Sequence, residues 1–176
     1  MTRDDLARAI SEAALLRGTF TLRSGRTSNY YLDKYRFATR PDLLAPIAAL
    51  LAERVRALGR VDRLAGAELG GVPLATAAGL ETGLPCILVR NKKKNYGTAK
   101  QLEGALNSGD RVVLLEDVAT SGGQAAEAVD TLREAGAVVV AVIAVIDREE
   151  GARETIDAKD TRFEALFTKR ELGVTE

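Results

Sequence analysis

One stretch of sequence decides the fold class: Val112-Val113-Leu114-Leu115-Glu116-Asp117-Val118-Ala119-Thr120-Ser121-Gly122-Gly123. Its four apolar residues, 112–115, predict a buried strand, and two adjacent carboxylates follow where we expect that strand to end. Hydroxyls and glycines then lead into a helix predicted over residues 123–135. Further strands, predicted at residues 63–67, 86–90 and 138–146, alternate with helical segments. This alternation predicts an α/β fold with a central parallel sheet covered by helices on both faces.

The N-terminal part of the chain does not follow this rhythm. The elements predicted there are a helix from Thr2 that stops at Gly18, short strands at residues 20–22 and 30–32, and a helix that Pro41 opens and Gly59 ends. We expect residues 1–60, together with the C-terminal segment, to form a hood over the edge of the sheet. The whole chain, residues 1–176, is then a single domain.

Composition excludes several classes of protein. Lys plus Arg and Asp plus Glu both number 25, so the chain lacks the global basic field typical of nucleic-acid-binding proteins. No histidine is present, which removes Ser-His-Asp and Cys-His nucleophilic sites. The single cysteine, Cys86, lies in an apolar run and has no disulfide partner, which suits a reducing compartment. With no apolar stretch of membrane-spanning length, we expect a cytoplasmic protein without nucleic-acid or membrane partners.

Residues 112–123 also indicate a type of ligand site. Ligands of open α/β sheets bind at the carboxyl ends of the strands, and a helix N-terminus offers free N–H groups to a phosphate. Gly122 and Gly123 allow close backbone approach, while Thr120 and Ser121 add hydroxyl donors. Carboxylates beside a phosphate make sense if they accept hydrogen bonds from sugar hydroxyls. The stretch therefore predicts a sugar-phosphate site, although a solvated acidic turn with an ordinary helix cap has the same residue types.

Residues 116–123 resemble the signature with which type I phosphoribosyltransferases bind 5-phosphoribosyl 1-pyrophosphate (PRPP). The resemblance implies the fold of that family, a central parallel sheet flanked by helices with an N-terminal hood. It also implies that the two acids hold the ribose hydroxyls and that the following loop wraps the 5-phosphate. The PRPP-binding residues expected here are Glu116, Asp117, Val118, Ala119, Thr120, Ser121, Gly122, Gly123 and Gln124.

Residues 20–33 predict, by themselves, a hairpin with a basic turn and aromatic edges. They are similar to the N-terminal segment Phe-x-Leu-x-Ser-Gly-x-x-Ser-x-Tyr of orotate phosphoribosyltransferases. The resemblance implies that Tyr31 and Leu32 lie against orotate, and Thr120 is expected to contact this base as well. Arg23 stands where many bacterial members have a lysine that contacts PRPP.

Residues 90–100 form a charge run, which suits a solvated face as well as a ligand site. They resemble the catalytic loop of the same family, Arg-Lys-x-x-Lys-x-His/Tyr-Gly. Asn91 departs from that pattern, because it replaces the first lysine. The matching residues are Arg90, Lys94, Tyr96 and Gly97, and the resemblance implies PRPP binding by the first three. Lys94 and Asp117 are the expected catalytic residues, and we expect the loop to be mobile until it closes over pyrophosphate.

Two further segments follow predicted strands. Residues 147–151, Asp-Arg-Glu-Glu-Gly, resemble the family motif Asp-Arg-x-Glu-Gly, in which the arginine pairs with the orotate carboxylate. Arg148 suits that role because a planar guanidinium matches a carboxylate. Residues 66–74 align with the pyrophosphate-binding turn of the family, but Leu69-Gly70 replaces the Tyr-Lys of many bacterial members.

The resemblance covers the chain from about Phe20 to Gly151. It implies transfer of the phosphoribosyl group from PRPP to orotate, with Mg²⁺ held mainly by PRPP and water, in a homodimer with shared active sites. Two alternatives stay open. One is transfer to another base, and the other is a non-catalytic regulator that senses PRPP on the same fold.

Overall fold

The computed structural model describes residues 1–21, 25, 27–91 and 101–174. Its elements are, in chain order, α1 (Arg3–Ala14), β1 (Leu15–Thr21), β2 (Thr27–Leu32), α2 (Tyr35–Ala38), α3 (Pro41–Ala57), β3 (Arg63–Ala67), α4 (Gly71–Thr82), β4 (Cys86–Val89), β5 (Leu102–Glu103), β6 (Arg111–Ala119), α5 (Gly123–Glu134), β7 (Val138–Asp147), α6 (Ala152–Asp157) and β8 (Arg162–Thr168).

A six-stranded sheet forms the centre of the fold, with strand order β5-β4-β3-β6-β7-β8. Every neighbouring pair is parallel except β4 with β5, which is antiparallel. The carboxyl ends of β3, β4, β6 and β7 therefore meet along one edge of the sheet. The predicted α/β class with a mainly parallel sheet is confirmed.

Each face of the sheet has its own hydrophobic core. One core combines α1, α3 and α4 with inward side chains such as Val113, Leu115 and Ile143. The other combines α5 and α6 with Val112, Leu114 and Val142. Successive strand residues serve opposite cores because side chains alternate across a sheet, which explains why these strands are apolar throughout.

The N-terminal hairpin begins earlier than the sequence predicts. Helix α1 ends at Ala14, and the prediction that it runs to Gly18 is wrong. Leu15 and Leu16 instead pair with Leu32 and Tyr31 in the antiparallel β1–β2 ladder. The apolar spacing that suggests one more helical turn fits a strand here, because the ladder supplies the backbone partners.

The C-terminal segment packs on α1. The Nη2 atom of Arg3 donates to the carbonyl of Leu166 at 2.7 Å, and the Ser11 hydroxyl donates to the carbonyl of Leu172 at 2.8 Å. Leu172 and Val174 are buried against the same core. In the described part of the chain, no helix has the length and apolar character needed to cross a bilayer.

Candidate active site

Strand β6 is longer than predicted and includes both acids, Glu116 and Asp117. We expected the strand to end before Glu116, but it runs to Ala119 and pairs with β7 up to Asp147. Because side chains alternate along a strand, the two carboxylates face opposite sides. Asp117 points toward the turn before α4, and Glu116 points into a cleft beside α5.

Asp117 is almost fully enclosed, with a relative exposure of 1%. Its Oδ1 accepts a hydrogen bond of 2.6 Å from the backbone N–H of Val118. Its Oδ2 forms an ion pair with Nζ of Lys34 at 3.0 Å, yet lacks a hydrogen bond of normal geometry. Burial alone would lower the pKa of Lys34, but its attraction to Asp117 outweighs this effect and the pKa is raised.

Glu116 is in a different electrostatic state. Burial, followed by repulsion from the Asp117 carboxylate, raises the pKa of Glu116 to about 8. Its Oε1 accepts a hydrogen bond of 3.2 Å from the backbone N–H of Asp117. At neutral pH this raised pKa favours a protonated Glu116 beside the Asp117 carboxylate.

The cleft beside Glu116 forms a small cradle at the N-terminus of α5. It has a volume of about 80 Å³ and is lined by Glu116, Val118, Ala119, Thr120, Ser121, Gly122, Gly123, Gln124 and Ala125. Gly122 adopts the left-handed conformation, φ 79°, and no side chain caps the α5 N-terminus among the described residues. Its first N–H groups are thus available to an anion.

Gly122 is also fixed by packing. A Cβ atom there would lie 3.0 Å from the backbone of Ala152, at the start of α6. Only glycine satisfies both the positive φ and this close approach. The loop and α6 therefore hold each other in place.

Arg148 lies next to this cradle and is held by contacts on three sides. Its backbone N–H donates to the carbonyl of Ala119 at 2.9 Å. Its Nη2 donates to the hydroxyl of Tyr30 at 2.8 Å and forms an ion pair with Oε1 of Glu150 at 2.9 Å. Arg148 has a relative exposure of 8%, so the guanidinium is a buried cation at the carboxyl edge of the sheet.

A turn after β3 forms the third part of the site. The peptide between Glu68 and Leu69 is cis, and Oε1 of Glu68 accepts a hydrogen bond of 2.6 Å from the backbone N–H of Asn91. Gly70 lies directly against Asp117. The neighbouring Arg90 is fixed by its backbone N–H, which donates to the carbonyl of Gln101 at 2.8 Å.

Three polar side-chain atoms in the described part of the chain are buried without a hydrogen-bond partner: Nε of Arg90, Oδ2 of Asp117 and Nε of Arg148. All three belong to residues that the sequence predicts to bind ligands. Buried polar atoms are normally paired, because an unpaired one costs about 1–3 kcal/mol. Their concentration at the carboxyl edge of one sheet indicates a site built for a polar ligand.

The other predicted site residues differ in burial, and some of them lie outside the described part of the chain. Tyr31 is exposed, at 42%, whereas the side chain of Leu32 is buried in the core beneath the hairpin. Arg23, Lys94 and Tyr96 lie outside the described residues, as does most of the predicted mobile loop. The contacts of these residues with orotate and PRPP stay predictions.

Sequence reasoning missed two residues that the structure brings to the site, Lys34 and Tyr30. Both come from the N-terminal hairpin and its connection to α2. They reach Asp117 and Arg148, more than eighty residues away in sequence. Lys34 carries no local signal for its contact. Tyr30 is the last residue of the motif Phe-x-Leu-x-Ser-Gly-x-x-Ser-x-Tyr, but that motif does not indicate a contact with Arg148.

Comparison with known proteins agrees with this geometry. A family model described as a phosphoribosyl transferase domain matches residues 36–168. The orotate phosphoribosyltransferase of Thermococcus kodakarensis is 46% identical, over 96% of this chain and 95% of that protein. The orotate phosphoribosyltransferase of Natronomonas pharaonis is 47% identical, over 98% of both. Among solved structures, the Mycobacterium tuberculosis orotate phosphoribosyltransferase in complex with PRPP is 33% identical, with a TM-score of 0.83, over 98% of this chain and 99% of that chain.

Proposed function

Because this chain belongs to the phosphoribosyltransferase family, and within it to the orotate phosphoribosyltransferases, we propose that it transfers the phosphoribosyl group of PRPP to orotate. The products are orotidine 5-monophosphate and pyrophosphate, a reaction of pyrimidine biosynthesis. The observation that carries the proposal is a pair of buried guanidinium Nε atoms, on Arg90 and Arg148, that lack a hydrogen-bond partner among the described residues. They lie at the same sheet edge as the buried Asp117 carboxylate, whose Oδ2 is ion-paired with Lys34 but has no hydrogen bond of normal geometry. Two guanidinium donors and one carboxylate acceptor suit a ligand pair with anionic groups and sugar hydroxyls.

The cradle at the start of α5 supports binding of the 5-phosphate. Its backbone N–H groups and the hydroxyls of Thr120 and Ser121 are donors, and the helix N-terminus adds a positive dipole end. Glu116 and Asp117, on the strand that leads into the cradle, accept hydrogen bonds from the ribose hydroxyls in this proposal. A carboxylate acceptor makes such bonds stronger than a neutral one does.

The base subsite rests on Arg148. A guanidinium presents parallel N–H donors that match a carboxylate, and orotate carries a carboxylate whereas purine bases do not. The buried Nε of Arg148 is a donor that this carboxylate would satisfy. Arg148 therefore selects the base, while Tyr31, Leu32 and Thr120 are proposed to contact its ring.

The chemistry needs no protein nucleophile. A ring nitrogen of anionic orotate attacks C1 of the ribose, the bond from C1 to pyrophosphate breaks, and that bonding pair leaves with the pyrophosphate. Positive charge builds on the ribose ring and negative charge on the leaving group. The protein contributes positioning and electrostatic stabilisation, for which Arg90, Lys94, Tyr96 and Arg23 are the proposed cations and donors and Asp117 is the proposed ribose anchor.

Magnesium is part of this proposal. Mg²⁺ prefers oxygen ligands and keeps several waters, so the oxygens of PRPP and water would mainly hold it, with the side chains of Glu116 and Asp117 nearby. Oδ2 of Asp117, which is ion-paired with Lys34 but has no hydrogen bond of normal geometry, is an acceptor that suits either a hydrated cation or a hydroxyl. When bound, the metal neutralises charge on the pyrophosphate.

We also propose a cytoplasmic homodimer in which each subunit contributes residues to its neighbour's site. The motivation is the family resemblance of residues 90–100, which form a polar segment long enough to reach across an interface at roughly 3.3–3.6 Å per extended residue.

The reaction is tested by measuring pyrophosphate release from PRPP and Mg²⁺ with orotate, uracil, adenine and hypoxanthine in parallel. We expect release with orotate far above release with the other three bases. Equal or faster release with a purine base would contradict the assignment of the base subsite. PRPP binding without release on any base would identify a sensor instead of an enzyme.

A further inference from the structure

We infer that Tyr30 is a positioning residue for the base subsite: its hydroxyl fixes the guanidinium of Arg148 in the orientation that receives the orotate carboxylate. This inference rests on the proposed function, because it assumes that Arg148 binds the carboxylate of the base. It adds a residue of the N-terminal hairpin to the specificity machinery of the sheet edge.

The contact between the two side chains is close and buried. The Tyr30 hydroxyl accepts a hydrogen bond of 2.8 Å from Nη2 of Arg148. Cζ of Arg148 lies 5.0 Å from the centroid of the Tyr30 ring, within cation–π range. Tyr30 has a relative exposure of 3%, so water does not compete for the bond. A buried hydrogen bond to a charged donor restricts the guanidinium more than an exposed one would.

Tyr30 is itself rigidly held. The hydroxyl of Ser28 donates to the backbone carbonyl of Tyr30 at 2.8 Å, and Tyr30 pairs with Arg17 across the β1–β2 ladder. Its ring belongs to the core beneath the hairpin. A support that is locked by its own packing can define the geometry of the residue that it holds.

Glu150 is the other acceptor on Nη2, at 2.9 Å. The two acceptors of Nη2 respond differently when orotate binds. A second carboxylate, from orotate, repels the Glu150 carboxylate but not the Tyr30 hydroxyl. Tyr30 is therefore the acceptor that stays in place during orotate binding, while Nε of Arg148 still lacks an acceptor among the described residues.

The test compares Tyr30→Phe with a matched control, Tyr35→Phe. Tyr35 lies on the same part of the chain but is 40% exposed, and both changes remove only a hydroxyl. Tyr30→Phe should raise the KM for orotate at least about 10-fold, the lower end of the range for a lost hydrogen bond to a charged group, and leave the KM for PRPP unchanged. Tyr35→Phe should change neither constant. An unchanged KM for orotate in Tyr30→Phe would overturn the inference.

A double-mutant cycle separates positioning from a general structural role. If Tyr30 acts through Arg148, Tyr30→Phe should have no additional effect on the KM for orotate in an Arg148→Ala background. Additive effects, or an equal rise in the KM for PRPP, would mean that the hydroxyl only supports the hairpin. Failure of the proposed function would give a different result, because the unmodified protein would then not use orotate as a substrate.

Discussion

A Cβ atom on Gly70 would lie 1.5 Å from Oδ2 and 2.6 Å from Cγ of Asp117. The backbone of the turn after β3 thus touches the carboxylate that we assign to ribose. Asp117 cannot retreat easily, because it is 1% exposed and its Oδ1 is bound to the N–H of Val118. The absence of a side chain at residue 70 is therefore a requirement of the acid, in addition to any role of the turn in binding pyrophosphate.

Gly70→Ala should weaken PRPP binding strongly by displacing the Asp117 carboxylate. Overpacking of a filled site typically costs about 1–3 kcal/mol, and we expect loss of affinity at least on that scale in titration calorimetry. Gly83→Ala is the control, since a Cβ at Gly83 meets no atom within 4 Å although its φ is 75°. That variant should lose stability while retaining PRPP affinity. Equal PRPP affinity of Gly70→Ala and the unmodified protein would refute this packing argument.

Lys34→Met should lower the free energy of unfolding, because it leaves the buried Asp117 carboxylate without its cation. Removal of one partner from a fully buried pair costs about 3–5 kcal/mol. We expect a smaller loss, since the Lys34 side chain is 32% exposed. Arg36→Met is the control from the adjoining helix α2, because the ion pair of Arg36 with Asp33 is largely exposed and contributes little. Urea denaturation of both variants distinguishes them, and similar losses would contradict the special role of Lys34.

Glu116→Gln should change the pH dependence of stability in the ligand-free protein. The folded-state pKa of Glu116, about 8, is far above the value of about 4.3 in an unfolded chain. Between those two values the folded state binds more protons, so this residue makes stability fall as pH rises. The variant should therefore gain stability relative to the unmodified protein from about pH 5 to 8, as measured by thermal unfolding. Parallel pH profiles would show that Glu116 titrates normally.

Arg148→Ala should raise the KM for orotate far more than the KM for PRPP. Loss of one partner from a desolvated charge pair typically costs on the order of 2–5 kcal/mol. Arg54→Ala serves as a control, since Arg54 is exposed on α3 and lies outside the proposed site. Steady-state kinetics, with each substrate varied in turn, give the two KM values for comparison. An equal effect of Arg148→Ala on both constants would remove this residue from the base subsite.

Mixing two inactive variants tests the proposed shared sites. In a mixture of Lys94→Ala and Asp117→Asn subunits, mixed dimers should regain activity, because one of their two sites has both residues intact. The yield of mixed dimers is followed with a tag on one variant, and each variant alone is the control. Full exchange of subunits with no recovered activity would rule out sites that combine these two residues.

Local patterns were sufficient for four strands of the central sheet, β3, β4, β6 and β7, although not for the full length of β6, and they predicted neither β5 nor β8. Residues 63–67 form β3 as predicted, and β7 extends one residue beyond the predicted 138–146. The continuation of β6 through Glu116 and Asp117 was not predictable from residue preferences, since acids are unfavourable in strands. It depends on pairing with β7, in which Glu116 lies opposite Ala144.

Contacts between distant segments limited what the sequence could predict about the site. Tyr30 and Arg148 are 118 residues apart, and Lys34 meets Asp117 across a similar gap in the chain. Nothing in the neighbourhood of either hairpin residue indicates which part of the sheet it will reach. Only the packing of β1, β2 and α2 over the sheet edge defines these pairs.

The segment formed by β2 and the residues that follow it contacts both proposed substrate subsites. Within five residues, this segment contacts Asp117, the proposed ribose acid, through Lys34, and Arg148, the proposed base-binding cation, through Tyr30. A ligand that shifts the segment at one of these points alters the free energy of binding at the other. Thermodynamic reciprocity then requires that PRPP change the affinity for orotate by the same factor by which orotate changes the affinity for PRPP.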